Sequence, residues 1–183
     1  AALDLGTNSC RMLIARPTGS RFEIVDAFSK SIRLGLDLER TGELSQAGIS
    51  RALQALHVCA KKLNKFGVRN SRLVATEACR RSKNGKSFLS KVKKETGLTL
   101  ELIKPEEEAR LAVISCAPLF DPNFSHVLIV DIGGGSTELV WMDLSEVPKE
   151  KRIAEMLKLQ LGFKNKNYSK FEKSKKDHIK IVD

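Results

Sequence analysis

Aromatic residues make up only 5% of this 183-residue chain, and none is interleaved with basic residues in the way a base-stacking surface needs. No run of about 18 apolar residues occurs, so no membrane-spanning helix is expected. The first residues, Ala1-Ala2-Leu3-Asp4-Leu5, lack a basic segment leading into an apolar one. No signal peptide is therefore expected, and the missing Met reads as loss or trimming of the first residues. Cysteine occurs four times (Cys10, Cys59, Cys79, Cys116) but never as CxxC, and His57, His126 and His178 stand at ligand spacing from none of them. That disfavours a zinc site or a disulfide framework. Four free thiols suit a reducing cytoplasm, where they would serve as small buried hydrophobes. The two commonest nucleotide-loop patterns, GxGxxG and GxxxxGK[ST], are both missing.

What is present is enough apolar material for one core, 42% of residues, with 30% charged. Thirty-two Lys+Arg against 22 Asp+Glu give +10, a balance that favours polyanionic partners. Half of that excess falls in residues 145–183, a Lys/Asn/Ser-rich quarter with one amphipathic stretch, Lys149–Leu161, before Gly162. It reads as a basic, poorly packed helix and tail appended to a first domain of residues 1–144.

Within residues 1–144, segments 3–5, 10–16 and 22–28 read as three strands of an antiparallel meander, with Thr18-Gly19-Ser20 turning the second into the third. Ser45 is a helix cap, and Ile49, Leu53, Leu56, Ala60 and Leu63 form one stripe of a helix over 47–66, stopped by Gly67. A strand over 72–76, a helix over 87–96 ended by Gly97, a strand over 98–103 and a helix opened by Pro105 follow. Asp121-Pro122-Asn123 is a turn, and the apolar run Val127–Val130 predicts a strand buried on both faces. A second strand, 138–142, comes next. A meander followed by alternating helices and strands predicts an α/β fold with a mixed sheet.

Three constellations could carry chemistry. The first is a pair of turns, Asp4-Leu5-Gly6-Thr7-Asn8-Ser9 and Asp131-Ile132-Gly133-Gly134-Gly135-Ser136-Thr137. In each, an apolar strand ends near an acidic residue, glycine makes a tight turn, hydroxyls follow and a new strand begins. Glycine lets backbone amides approach an anion, and successive amides with hydroxyls make a phosphate nest beside which the Asp can hold hydrated Mg2+. The second is Pro105-Glu106-Glu107-Glu108-Ala109-Arg110, where acids in a first helical turn have two readings, offsetting the helix dipole alone or supplying a general base. The third is Thr76–Gly85, where Arg80 at a strand exit could clamp phosphate, or the segment could be a solvated basic turn. Arg33 and Lys30 are weaker candidates of the same kind. His57 reads as structural or surface.

These residues together resemble the exopolyphosphatase / guanosine pentaphosphate phosphohydrolase (Ppx/GppA) family of the actin–Hsp70–sugar kinase superfamily. The resemblance rests on Asp4–Ser9, Arg33-Leu34-Gly35, Ala75-Thr76-x-Ala78-x-Arg80 with Asn84-Gly85, Glu107–Leu111 and the block Asp131–Val140, in family order over residues 1–144. It implies a ribonuclease H-like, actin-like first lobe of a two-lobed enzyme, holding phosphates in the cleft between lobes. It also implies Mg2+-dependent hydrolysis of a terminal phosphoanhydride, in polyphosphate or in the stringent-response nucleotide guanosine pentaphosphate.

By the same resemblance Glu108 activates water, while Asp131 and Glu138 organise Mg2+ and that water. Asp4, Gly6, Asn8, Ser9, Gly133, Gly134, Gly135, Ser136 and Thr137 bind phosphate, and Arg80 clamps the chain. The second lobe that such proteins carry, opening on a segment like SLPLGVVRL, has no counterpart in residues 146–183. Two alternatives therefore stay open: a non-catalytic polyphosphate- or nucleotide-binding lobe, and an actin-like ATPase or sugar kinase fragment. No membrane partner is expected, a nucleic-acid partner has only the basic tail in its favour, and homodimerisation is left open.

Overall fold

The structure is a computed structural model that describes residues 1–19, 21–158 and 179–182. Its first strands follow from simple alternation. β1 (Ala2–Leu5) buries Leu3 and Leu5, and β2 (Ser9–Thr18) buries Cys10, Met12 and Ile14. β3 (Arg21–Ser31) is an edge strand and mostly exposed. The three pair antiparallel as the meander predicts, with a register shift in the β2–β3 pair between Ile14 and Ala15.

A one-turn helix, α1 (Leu38–Thr41), closes on Gly42. α2 (Gln46–Lys65) starts where Ser45 accepts the Gly48 N–H at 3.3 Å, satisfying one of the donors a helix start leaves open. Ile49, Leu53, Leu56 and Leu63 are buried on α2 as the stripe requires, whereas Ala60 is half-buried. β4 (Arg72–Ala75), α3 (Glu77–Arg81), α4 (Gly85–Thr96) and β5 (Glu101–Leu102) complete a sheet ordered β3-β2-β1-β4-β5. Because β1 and β4 run parallel, their C-terminal exits lie at the same end of the sheet. The Thr76 N–H donates to Leu5 O at 3.3 Å there.

By packing, the described residues divide into two units, 1–104 with 133–135, and 105–132 with 136 onward. The compositional change at Ser145 falls inside the second. That unit holds α5 (Pro105–Cys116), β6 (His126–Ile132), β7 (Thr137–Asp143), α6 (Arg152–Lys158) and β8 (Ile179–Val182), the strands forming an antiparallel sheet ordered β6-β7-β8. Ala109 and Val113 of α5 pack with Ile129, Val140, Met142, Leu144 and Met156.

Several expectations need correction. β6 is not buried on both faces: Leu128 and Ile132 are 58% and 77% exposed, while Ile129 faces the core. The apolar run reflects the composition of both faces, not the burial of both. β5 is two residues long where six were expected, and α1 and α3 were not expected at all. Glu77-Ala78-Cys79-Arg80-Arg81 is too short to show a helical period.

Within residues 145–158, Met156 is fully buried. Arg152 is anchored on the carbonyls of Leu144, Val147, Pro122 and Phe124. The expected end of that helix at Leu161, Gly162 and the tail through residue 178 lie outside the described residues. The four cysteines are free thiols, three of them buried and Cys116 partly so.

Candidate functional site

The Gly6–Ser9 turn is closed by the Gly6 N–H donating to Ser9 O at 2.9 Å. The loop after β3 then takes up its carbonyls. Gly35 N–H donates to Thr7 O at 3.1 Å, and the N–H groups of Ile32 and Arg33 donate to Asn8 O at 2.8 and 3.0 Å. The amides of Thr7 and Asn8 donate to no acceptor among the described residues. Carbonyls tied back and amides left over are the polarity of an anion nest.

Three glycines close on this turn. A Cβ at Gly134 would stand 2.5 Å from Asn8 Nδ2, one at Gly135 2.8 Å from Thr7 Oγ1, and one at Gly35 2.4 Å from Thr7 Cγ2. Real Cβ atoms do not approach so closely, so a side chain at any of the three would have to push Asn8 or Thr7 aside. Positive φ is not involved, because none of the three has it. Gly134 and Gly135, which by packing belong to the first unit, thus meet the first turn directly. Far apart in sequence, Gly134 and Gly135 are neighbours of Asn8 and Thr7 in space. Sequence reasoning passed over Thr7, which is buried, and Gly35. Their place inside the Asp4–Ser9 and Arg33-Leu34-Gly35 blocks was the available signal.

Beside this turn, α3 carries Arg80. Its guanidinium is engaged: it donates to Glu77 and, at 2.8 Å, to Ile103 O. Arg81 pairs with Glu39 at 2.7 Å, which holds the Glu39 carboxyl below its ordinary range. Asn84 bridges both backbone groups of Leu44 at 2.9 Å, and a Cβ at Gly85 would meet Cys79 O at 2.0 Å. Asn84-Gly85 thus holds the start of α4 in place rather than presenting donors.

The acidic candidates Glu108, Asp131 and Glu138 lie in the second unit. Glu107 is held by Arg110 at 2.6 Å, while Glu108, next to it in the first turn of α5, is half-buried. Asp131 on β6 stands directly opposite Glu138 on β7, on one face of the hairpin. Glu138 is only 5% exposed, yet neither carboxylate has a hydrogen bond or ion pair among the described residues. Two carboxyl groups facing each other across strands, one of them buried, make a chemically suitable pair for a cation. Two carboxylates with open positions suit Mg2+, which keeps several waters and shares phosphate oxygens. Ser136, half-buried, and Thr137, exposed, flank them. Asp4 is exposed at the end of β1, and His57 is exposed on α2.

The chain is similar to known proteins. The model of the Ppx/GppA phosphatase family matches residues 13–169. The crystal structure of the Aquifex aeolicus member of that family is 36% identical, with a TM-score of 0.67 over 78% of this chain and 46% of that one. An exopolyphosphatase-like protein is 30% identical, with a TM-score of 0.72 over 81% of this chain and 46% of that one. An exopolyphosphatase from Cytophaga hutchinsonii, 23% identical with a TM-score of 0.72, shares the fold. The chain therefore spans about half the length of the structures it matches. The order of its motifs, the mixed sheet and the matched span agree: this chain belongs to the Ppx/GppA phosphatase family, within the actin-like ATPase superfamily.

Proposed function

We propose that this chain is the phosphate-binding half of a Mg2+-dependent hydrolase that removes the terminal phosphoryl group of inorganic polyphosphate or guanosine pentaphosphate in the cytoplasm. Residues 1–144 make the phosphate-binding lobe and 145–183 its appendage. The observation that carries this reading is the contact of Gly134 and Gly135 with Asn8 and Thr7, whose amides have no acceptor among the described residues. Phosphoanhydride hydrolysis needs oxygens neutralised, a water oriented and the leaving group held in line.

Gly6, Asn8, Ser9, Gly133, Gly134, Gly135, Ser136 and Thr137 supply the nest, with Asp4 at its edge. Arg80 draws on the anion by exchanging part of its Glu77 pairing for phosphate. Asp131 and Glu138 are the ligands for Mg2+, which when bound neutralises phosphate oxygens. Glu108 takes the proton of the attacking water. A net charge of +10 supports attraction of a polyanion.

A second reading is binding without turnover. It is favoured by the first turn with Gly134 and Gly135 belonging to one packing unit while Glu108, Asp131 and Glu138 belong to the other. One experiment separates the readings: phosphate release from long-chain polyphosphate and from guanosine pentaphosphate, with and without Mg2+, for the chain and for Glu108→Gln. Hydrolysis predicts Mg2+-dependent release that Glu108→Gln lowers by roughly a hundredfold or more, with binding intact. Binding alone predicts salt-sensitive affinity and no release. Tight ATP binding with indifference to polyphosphate would contradict both and restore the ATPase or kinase alternative.

A further inference from the structure

Arg33 is the single non-glycine residue at positive φ among the described residues, with φ of 45°. L-residues other than Gly, Asn and Asp rarely occupy this region, because Cβ crowds the backbone. The conformation is over-determined by neighbours. Arg33 N–H and Ile32 N–H both donate to Asn8 O, and Arg51 donates from Nε to Ile32 O at 2.7 Å and from Nη2 to Arg33 O at 3.1 Å. Gly35, two residues on, packs against Thr7. The strained backbone is therefore bonded directly to the Thr7–Asn8 turn. Strain of this kind points to function when a less costly residue would fit. Gly or Asn would fit here.

The side chain gives the second half of the argument. Arg33 is exposed, and its guanidinium makes no hydrogen bond or ion pair among the described residues. The neighbouring arginines are engaged: Arg51 on backbone carbonyls, Arg80 on Glu77 and Ile103 O, Arg81 on Glu39. An unengaged guanidinium held by a strained backbone at the rim of an amide nest is suited to a bidentate grip on phosphate oxygens. We infer that Arg33 is a substrate-binding residue that grips the condensed phosphate chain as it enters the nest. This deepens the function proposed above and rests on it.

The test is calorimetric binding of sodium polyphosphate to the wild type and to Arg33→Asn, Arg33→Gly and Arg33→Lys, with thermal unfolding of each. Asn and Gly accept the positive φ without strain, so the melting temperature should hold or rise while affinity falls roughly tenfold, the loss of one charge-assisted bond. Arg33→Lys should keep part of the affinity. Wild-type affinity in Arg33→Asn would overturn the inference while leaving the proposed function standing. So would a parallel loss of melting temperature and affinity in both Arg33→Asn and Arg33→Gly, which would make the residue structural. Failure of the wild type to bind polyphosphate at all would overturn both.

Discussion

The two packing units solve the burial problem differently. The first closes a five-stranded sheet under α2 and α4, with Phe88, Val92, Leu56 and Cys59 essentially inaccessible. The second packs α5 and α6 against one face of a three-stranded sheet and leaves Leu128, Val130, Ile132 and Trp141 of the other face exposed. The contrast matches the chemistry proposed for each. Amide donors for an anion must be rigid to be useful, and the Thr7–Asn8 turn is rooted in the better-filled unit. The carboxylates Glu108, Asp131 and Glu138 belong to the unit with less apolar support, and Glu138 lies buried there without a partner among the described residues.

Core truncation should show the contrast most strongly. Phe88→Ala should cost about 3–5 kcal/mol and Met156→Ala about 2–3. Since Trp141 is the single tryptophan and lies on β7, its fluorescence in urea should follow Met156→Ala more closely than Phe88→Ala, which circular dichroism should register. Equal fluorescence shifts for both variants would mean the units unfold as one.

Glu138→Gln should sharpen the comparison from the other side. Replacing a buried carboxyl that has no partner among the described residues should raise stability by roughly 1–2 kcal/mol in metal-free buffer and abolish any stabilisation by Mg2+. A destabilised variant in metal-free buffer would show that the carboxylate is already satisfied.

A smaller effect is expected in the first unit at acid pH. Lys62 donates to Asp26 at 2.6 Å, and this bond holds the Asp26 carboxyl below its ordinary range. A folded value below the unfolded one contributes stability that is complete above about pH 4 and fades as pH falls through the lowered value. Asp26→Asn should therefore narrow the gap between melting temperatures at pH 6 and pH 3. An unchanged gap would remove Asp26 from the acid response. Smallest of all, Leu128→Thr on the open face of β6 should stay within about 0.5 kcal/mol, and a loss several times larger would mean that this face is covered.

Much of this was legible because local rules carried it. The Ser45 cap, the α2 stripe and the Gly97 stop are decided within a few residues of chain. The two Asp-x-Gly turns were legible as motifs, since their strands and glycines are contiguous. What escaped depends on distant neighbours. Nothing local tells that Gly35, Gly134 and Gly135 surround Thr7 and Asn8, or that β6 hides only one face. Arg33 illustrates the same limit: its residue type suggested a phosphate ligand, but its strained φ and bonds to Asn8 exist only in the folded chain.

The nest itself is tested most directly at Gly134, where a single methyl group must displace the Asn8 side chain. Polyphosphate titrated calorimetrically into Gly134→Ala, with circular dichroism to establish that the fold is kept, should show affinity lowered roughly tenfold or more relative to the wild type. An intact fold with undiminished affinity would contradict the account, because phosphate would then be bound somewhere other than at these two turns.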